Sequence, residues 1–433
     1  MANVKIVLIG AGSLSFGLGT AGNILQSEIL KGSTIFLHDI NEENLNLAFK
    51  ACRSAIEKNK LDFSLESSIY RDDALKNADF IINSIEVAPR YPLLDQDFRI
   101  PQEYGCKQVS GENGGPGGLF HSLRVIPPIL KICADIRKMC PNAFLINFSN
   151  PMSRICLAIN RKYPNLKFVG LCHEYFHFLP ILSNILDIPS SKLEITAGGL
   201  NHFGVFLTIK YKKDGKDAYP ELRKKGPSHL MNLNAYDGFK LVGFILKNYG
   251  YCPYTTDSHY GEYLQWAWEK ADISAVRHFW KSHGRVITKY RYDKLKKMIE
   301  KGRGARVVKA DDERAIPIIE GIISNSNHRE YSVNIPNEGV FSNLPNDAIV
   351  ECPAIVNKDG LNGIALGVYP VGLAALLRNQ YSVQDLVVEA AIEKSKDLAL
   401  QALLADPVVD TYWQANKILE RFLDIQAEYI QLD

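Results

Sequence analysis

The chain has 433 residues, 46% hydrophobic and 23% charged, with a formal net charge of +2. That length suggests two or three domains, and such an apolar content supports a large core without disulfide or metal staples. The near-neutral charge points to neither nucleic acid nor an anionic membrane surface, and no apolar run approaches the ~18 residues of a membrane-spanning helix.

VKIVLIG, 4–10, is a continuous apolar run of the kind a buried parallel strand has. It leads into a glycine turn at Gly10, Gly12 and Ser13 instead of a cleavage site, so it is not read as a signal peptide. Without an export signal the eight cysteines are expected to be reduced thiols, most of them small core residues, in a cytoplasmic protein. A helical stretch follows over 16–31, then a second apolar strand, TIFLHDI, 34–40, which ends on Asp39 and Ile40. Strand, glycine turn, helix, strand and acid in this order form the context of a dinucleotide site. The glycines let the backbone approach a pyrophosphate, and the helix N-terminus offers it N–H donors. Asp39 would accept from ribose hydroxyls, which favours NAD. Ser15 stands where the fingerprint has its third glycine, so the flanking strands and the acid carry the reading.

An amphipathic helix over 43–58 and a third strand over 78–87, carrying Glu86, come next. The glycines of GENGGPGGLFHSLRVIPPILK, 111–131, indicate a sharp turn or a backbone that approaches a ligand. A further strand over 143–152 contains Asn147 and ends in Asn150-Pro151. Alternating strands and helices predict a doubly wound parallel sheet, with ligands outside the carboxyl ends of its strands. Asp39, Glu86, Asn150 and Cys172 all fall at such ends. Beyond about residue 200 the alternation lapses. Residues 232–250 read as helix, 251–268 as an aromatic loop entering a helix, and the Lys/Arg-rich 281–309 as a solvated helix face. Broken strands over 331–356 and a helical layer over 382–431 complete the chain. The fold class is α/β, with a Rossmann-like domain over 1–198 and an α+β domain over 199–433, the active site lying between them.

Cys172 in GLCHEY and His202 in GLNHFG each follow a strand-like run. A thiol and an imidazole so placed are a metal pair, a Cys–His nucleophile pair, or two unrelated buried residues. Two ligands are few for a structural zinc site but enough for an open catalytic one. His173 and His177 read as neighbours of the site, not ligands.

Together IGAGS (9–13), Asp39, GENGGPGG (111–118), NFSNPM (147–152), CHE (172–174), GLNHFG (199–204) and NIPNEG (334–339) make the chain similar to glycoside hydrolase family 4, whose members use NAD and a divalent metal. The resemblance spans nearly the whole chain and implies an architecture similar to lactate and malate dehydrogenases. It implies Cys172 and His202 as ligands of Mn2+, and Gly10, Gly12, Ser13, Asp39, Ile40, Glu86 and Asn147 as NAD contacts. It implies hydrolysis by oxidation at carbon 3 of the sugar, deprotonation at carbon 2, elimination, water addition and re-reduction, with no pair of glycosidase carboxylates. The segment TTDSHYGEY matches the family's base region, with His259, Tyr263 and Asp257 as the catalytic candidates. Glu112, Asn150, Arg90, His173 and Glu174 are expected at the substrate. His173-Glu174 after Cys172 resembles the branch acting on unphosphorylated α-galacturonides, α-galactosides or α-glucosides. A uronate would need an arginine, for which Arg90, Arg99, Arg124 and Arg154 are candidates. A homodimer or homotetramer is expected from the family alone. The competing readings are a 2-hydroxy-acid dehydrogenase, against which GLCHEYFHF lacks the carboxylate-binding arginine, and a catalytically silent NAD-binding regulator.

Overall fold

The computed structural model describes residues 3–14, 16–233, 237–282 and 288–433. One sheet of eleven strands organises it. In chain order these are β1 (Lys5–Ile9), β2 (Thr34–His38), β3 (Ser64–Ser68), β4 (Phe80–Asn83), β5 (Phe144–Asn147), β6 (Phe168–Gly170), β7 (Leu193–Leu200), β8 (Phe203–Tyr211), β9 (His328–Pro336), β10 (Ile349–Asn357) and β11 (Gly360–Gly363). The first six are parallel in the order β3-β2-β1-β4-β5-β6. Their order reverses between β1 and β4, which opens a crevice at the carboxyl ends. The apolar runs of β4 and β5 are buried throughout, as strands covered on both faces should be.

Register lines the crevice up. Ile9 lies opposite His38 and Asn83, Asn83 opposite Asn147, Asn147 opposite Gly170, and Gly170 opposite Asn334 of antiparallel β9. Asp39, Glu86, Asn150 and Cys172 each follow this row by one to three residues. The same sheet continues through β9 to β10, β7 and β8, so the expected division at 198/199 cuts β7 rather than a linker.

Two elements differ from the sequence reading. The first helix runs Phe16–Gln26 and stops early, because Ser27 accepts the Leu30 N–H through its hydroxyl and Gly32 turns with φ +85°. The glycine-rich stretch begins a long helix, Gly115–Met139, that its glycines and Pro127-Pro128 hide from any propensity argument. Those glycines serve backbone proximity: a Cβ on Gly117 would meet the Asp97 carbonyl oxygen at 2.5 Å, and one on Gly118 the Asn113 carbonyl carbon at 2.5 Å. The C-terminal helices Val371–Glu393, Lys396–Ala405 and Tyr412–Ile425 pack back onto the first half of the chain. Val383, Val387 and Phe422 share a core with Phe120 and Ile126 there, and Phe120 stacks on Phe422 at 3.8 Å. The basic stretch forms helix Thr288–Glu300 with Lys296 paired to Glu43, and residues 283–287 lie outside the described ones. Among the described residues no helix is long and apolar enough to cross a membrane.

Candidate active site

The glycine turn after β1 is built for close approach. Gly10 has φ +86°, and a Cβ there would meet the Ser84 carbonyl oxygen at 3.0 Å. Gly12 donates its N–H to Asp39 Oδ2 at 2.8 Å, and Asn41 donates to Oδ1 at 2.8 Å. The carboxylate is therefore fixed beside the turn with lone pairs to spare for a ribose. Ile40 beside it is 89% exposed, an apolar face at the crevice rim. Ser13 accepts the Phe16 N–H, which caps the following helix. Ser15 lies outside the described residues.

Two residues expected at the cofactor, Asn147 and Glu86, also have protein partners. The Asn147 side chain is fully buried: it accepts from Asn83 and donates to the Ser149 carbonyl, tying the ends of β4 and β5 together. Glu86 pairs with His121 at 3.2 Å and Arg90 at 3.6 Å. Burial would raise its pKa, but these cations outweigh burial and hold it at about 2.

His202 sits at the two-residue turn joining β7 and β8, with φ +60°, a conformation a non-glycine residue keeps only under constraint. Its Nε2 lies 3.3 Å from Cys172 Sγ, two residues beyond β6. Metal bonds of about 2.3 Å to sulfur and about 2.1 Å to nitrogen place two such donors roughly 3.1–3.6 Å apart, so the pair fits one shared cation. Asn113 is 3.1 Å from His202 Nδ1, and its buried Oδ1 has no partner among the described residues. Turning that amide over lets Oδ1 accept from Nδ1–H, which leaves Nε2 free to ligate. Burial, with Glu351 and Glu174 nearby, pushes the Cys172 thiol well up, so a thiolate there calls for a cation.

In the 257–263 segment His259 is brought beside the pair, its ring centroid 4.1 Å from that of His202. Its buried Nδ1 is unpartnered among the described residues. Burial lowers its pKa, but Glu174, Glu262, Glu112 and Asp237 outweigh that and raise it. Asp257 is not available as an acid. Its Oδ1 accepts the Leu241 and Val242 N–H groups and its Oδ2 that of Asp272, so it caps helix Lys240–Tyr249 from a distance, not its own helix. Tyr263 is buried against Phe203, with its hydroxyl on the Asn201 carbonyl at 3.4 Å. Burial, with Glu262 nearby, drives that phenol well above its usual pKa.

Sequence reasoning passed over Glu262 and Glu351. Glu262 is fully buried and accepts the N–H groups of Glu112 at 3.1 Å and of Asn113 and Gly114 at 2.7 Å, which holds the glycine loop under His202. Burial raises it to about 7 against the pull of His259 and these N–H groups. Glu351 accepts from Asn201 at 2.9 Å and from Ser332, and burial raises it to about 7. A lone acid within an aromatic or apolar run was the available signal for both.

Glu112 meets Arg90 at 3.2 Å. Glu174 accepts the Thr255 hydroxyl at 2.7 Å, and His173 faces Glu313 at 3.4 Å. Asn150 is half-buried at the end of β5. Arg124 is locked to Asp97 in the interior, Arg99 pairs with Glu103 on the surface, and Arg154 is buried against Ser122.

Residues 5–188 match the family 4 glycosyl hydrolase model, and residues 197–409 match that family's C-terminal domain. The chain belongs to family 4 of the glycosyl hydrolases. This family 4 chain is 42% identical to an alpha-glucosidase of Erwinia rhapontici, over 93% of this chain and 94% of that one. It is 30% identical to an alpha-galactosidase of Bacillus subtilis (strain 168), over 98% of each. A 6-phospho-alpha-glucosidase from gut microorganisms, solved in complex with NAD and Mn2+, superposes with a TM-score of 0.86 at 22% identity over the full length of both chains. A malate dehydrogenase of Plasmodium falciparum shares the fold at a TM-score of 0.52 and 13% identity, over 91% of this family 4 chain and 99% of that one.

Proposed function

We propose that the chain hydrolyses unphosphorylated α-glucosides, with NAD and Mn2+ as resident groups, in a cycle without net redox change. The observation that carries this reading is the Cys172–His202 pair, 3.3 Å apart at the carboxyl edge of a nucleotide-binding sheet. The similarity to the Erwinia alpha-glucosidase supports the sugar. When bound, NAD supplies a reversible hydride acceptor for carbon 3 and manganese a Lewis acid for the sugar oxygens. Cys172 and His202 would hold the metal, with Asn113 orienting the imidazole. Gly10, Gly12 and Ser13 would cradle the pyrophosphate, and Asp39 and Ile40 would take the ribose and adenine. Asn150, His173 and Glu174 would contact the sugar. His259, with its unpartnered Nδ1, would carry the carbon 2 proton.

A neutral sugar fits the charges. Of the four arginines considered for a uronate, Arg90 is already neutralised by Glu86 and Glu112, and Arg154 is buried beside Asn113, Asn201 and Tyr263. Glu351 and Glu174 beside Cys172, and Glu262 and Glu112 beside His259, disfavour a phosphate or carboxylate substituent. We place the enzyme in the cytoplasm as a homodimer or homotetramer.

Hydrolysis of 4-nitrophenyl α-glucoside, α-galactoside and α-galacturonide and of a 6-phospho-α-glucoside in heavy water, with NAD, manganese and thiol, tests the proposal. The neutral glucoside should be preferred and its product should carry deuterium at carbon 2. Preference for an anionic sugar would overturn the substrate assignment, and NAD binding without turnover of any of them would favour the regulator. Asp39→Ala should weaken NAD binding by roughly ten- to a hundredfold, through loss of charge-assisted hydrogen bonds worth ~1.5–3 kcal/mol, as read by fluorescence titration. An unchanged affinity would place the ribose elsewhere.

A further inference from the structure

We infer a second metal site at the mouth of the crevice, for a zinc-class transition metal ion, formed by His173, Glu174 and His177. His173 is the residue before helix Glu174–Leu186, and His177 lies one turn on, the i, i+4 spacing that lets two imidazoles share an ion. Their ring centroids are 4.2 Å apart. One ligand atom from each of the three residues falls within 4.8 Å of the others. Tetrahedral zinc needs donor separations of about 3.3 Å, a closure that side-chain rotation supplies.

Two outer contacts orient the ligands. Glu313 Oε1 lies 3.4 Å from His173 Nδ1, while Nε2 faces Glu174 Oε1 at 3.7 Å. A proton on Nδ1 held by Glu313 leaves the Nε2 lone pair toward Glu174, the carboxylate–histidine–metal relay of zinc sites. The Thr255 hydroxyl occupies Glu174 Oε2 at 2.7 Å and leaves Oε1 for an ion. Two imidazoles and one carboxylate with an open fourth position form an open zinc donor set, and it contains no thiolate, unlike the Cys172–His202 pair. His177 is exposed, so the ion enters from solvent. An ion held there takes His173 and Glu174 away from the sugar. Zinc is therefore a reversible inhibitor at this site, a consequence that rests on the proposed function, whereas the binding itself does not.

The test uses the full chain with manganese present, titrated with zinc and, separately, with cobalt. Equilibrium dialysis with metal counting should find one zinc per chain beyond the manganese. Cobalt there should show weak visible bands without the near-ultraviolet sulfur charge-transfer band. His177→Ala should keep its basal turnover, bind zinc at least about tenfold more weakly, and need correspondingly more zinc for inhibition. Equal zinc binding in the two proteins would overturn the site. So would a sulfur band on first cobalt binding, which would mean that the added ion displaces manganese at Cys172. Because dialysis needs no turnover, the site stands or falls even if the glycosidase reading fails.

Discussion

Cys172→Ser should lose manganese and turnover together while leaving NAD binding intact. The serine hydroxyl is a harder and far less acidic donor than a thiol, so His202 is left as a single strong ligand. A Lewis acid at the sugar oxygens contributes several kcal/mol to the barrier, and its loss amounts to about three powers of ten in kcat/KM. Metal counting after dialysis, NAD titration and turnover on the same sample separate the effects. NAD affinity should change little, because the glycine turn and Asp39 follow β1 and β2 while Cys172 follows β6. Turnover and manganese retained in the serine variant would end the metal role of Cys172.

Glu262→Ala should be the most destabilising single change near the site. Its carboxylate is the acceptor for three consecutive N–H groups of the glycine loop, and all of them are buried. Truncation strands those donors without water, at a cost of roughly 3–5 kcal/mol. Because Asn113 is one of them and also meets His202, turnover should fall as well. Glu262→Gln keeps one acceptor oxygen and should lose less. Thermal unfolding of the three proteins checks the order, wild type above Gln above Ala. Identical transitions would mean that the loop holds itself in place.

The first half of the fold was legible because its signals are local. Apolar runs bounded by glycine or by Asn-Pro gave the strands, and the carboxyl-end rule then placed Asp39, Asn150 and Cys172 on one edge. That Cys172 and His202 belong together was legible from their residue types and the surrounding motifs. What escaped depends on contacts distant in sequence. Asp257 looked catalytic because its bonds to Leu241, Val242 and Asp272 span fifteen or sixteen residues. The Asn147–Asn83 bond and the Glu86–His121 pair were hidden because the partners belong to other elements. The helix at 115–139 was hidden because its glycines answer to the Asp97 and Asn113 backbones, not to helix propensity.

The return of the C-terminal helices to the first half bears on how the chain is made. As synthesis proceeds, the face of helix Gly115–Met139 that bears Phe120 and Ile126 emerges some 250 residues before Val383, Val387 and Phe422 arrive to cover it. Likewise β7 cannot reach its neighbour β10 until residue 349 has been made. The nucleotide-binding half therefore cannot complete its core as an early, independent unit. For most of translation it presents an uncovered apolar surface, and the residues from Val383 onward are as necessary to its core as its own strands.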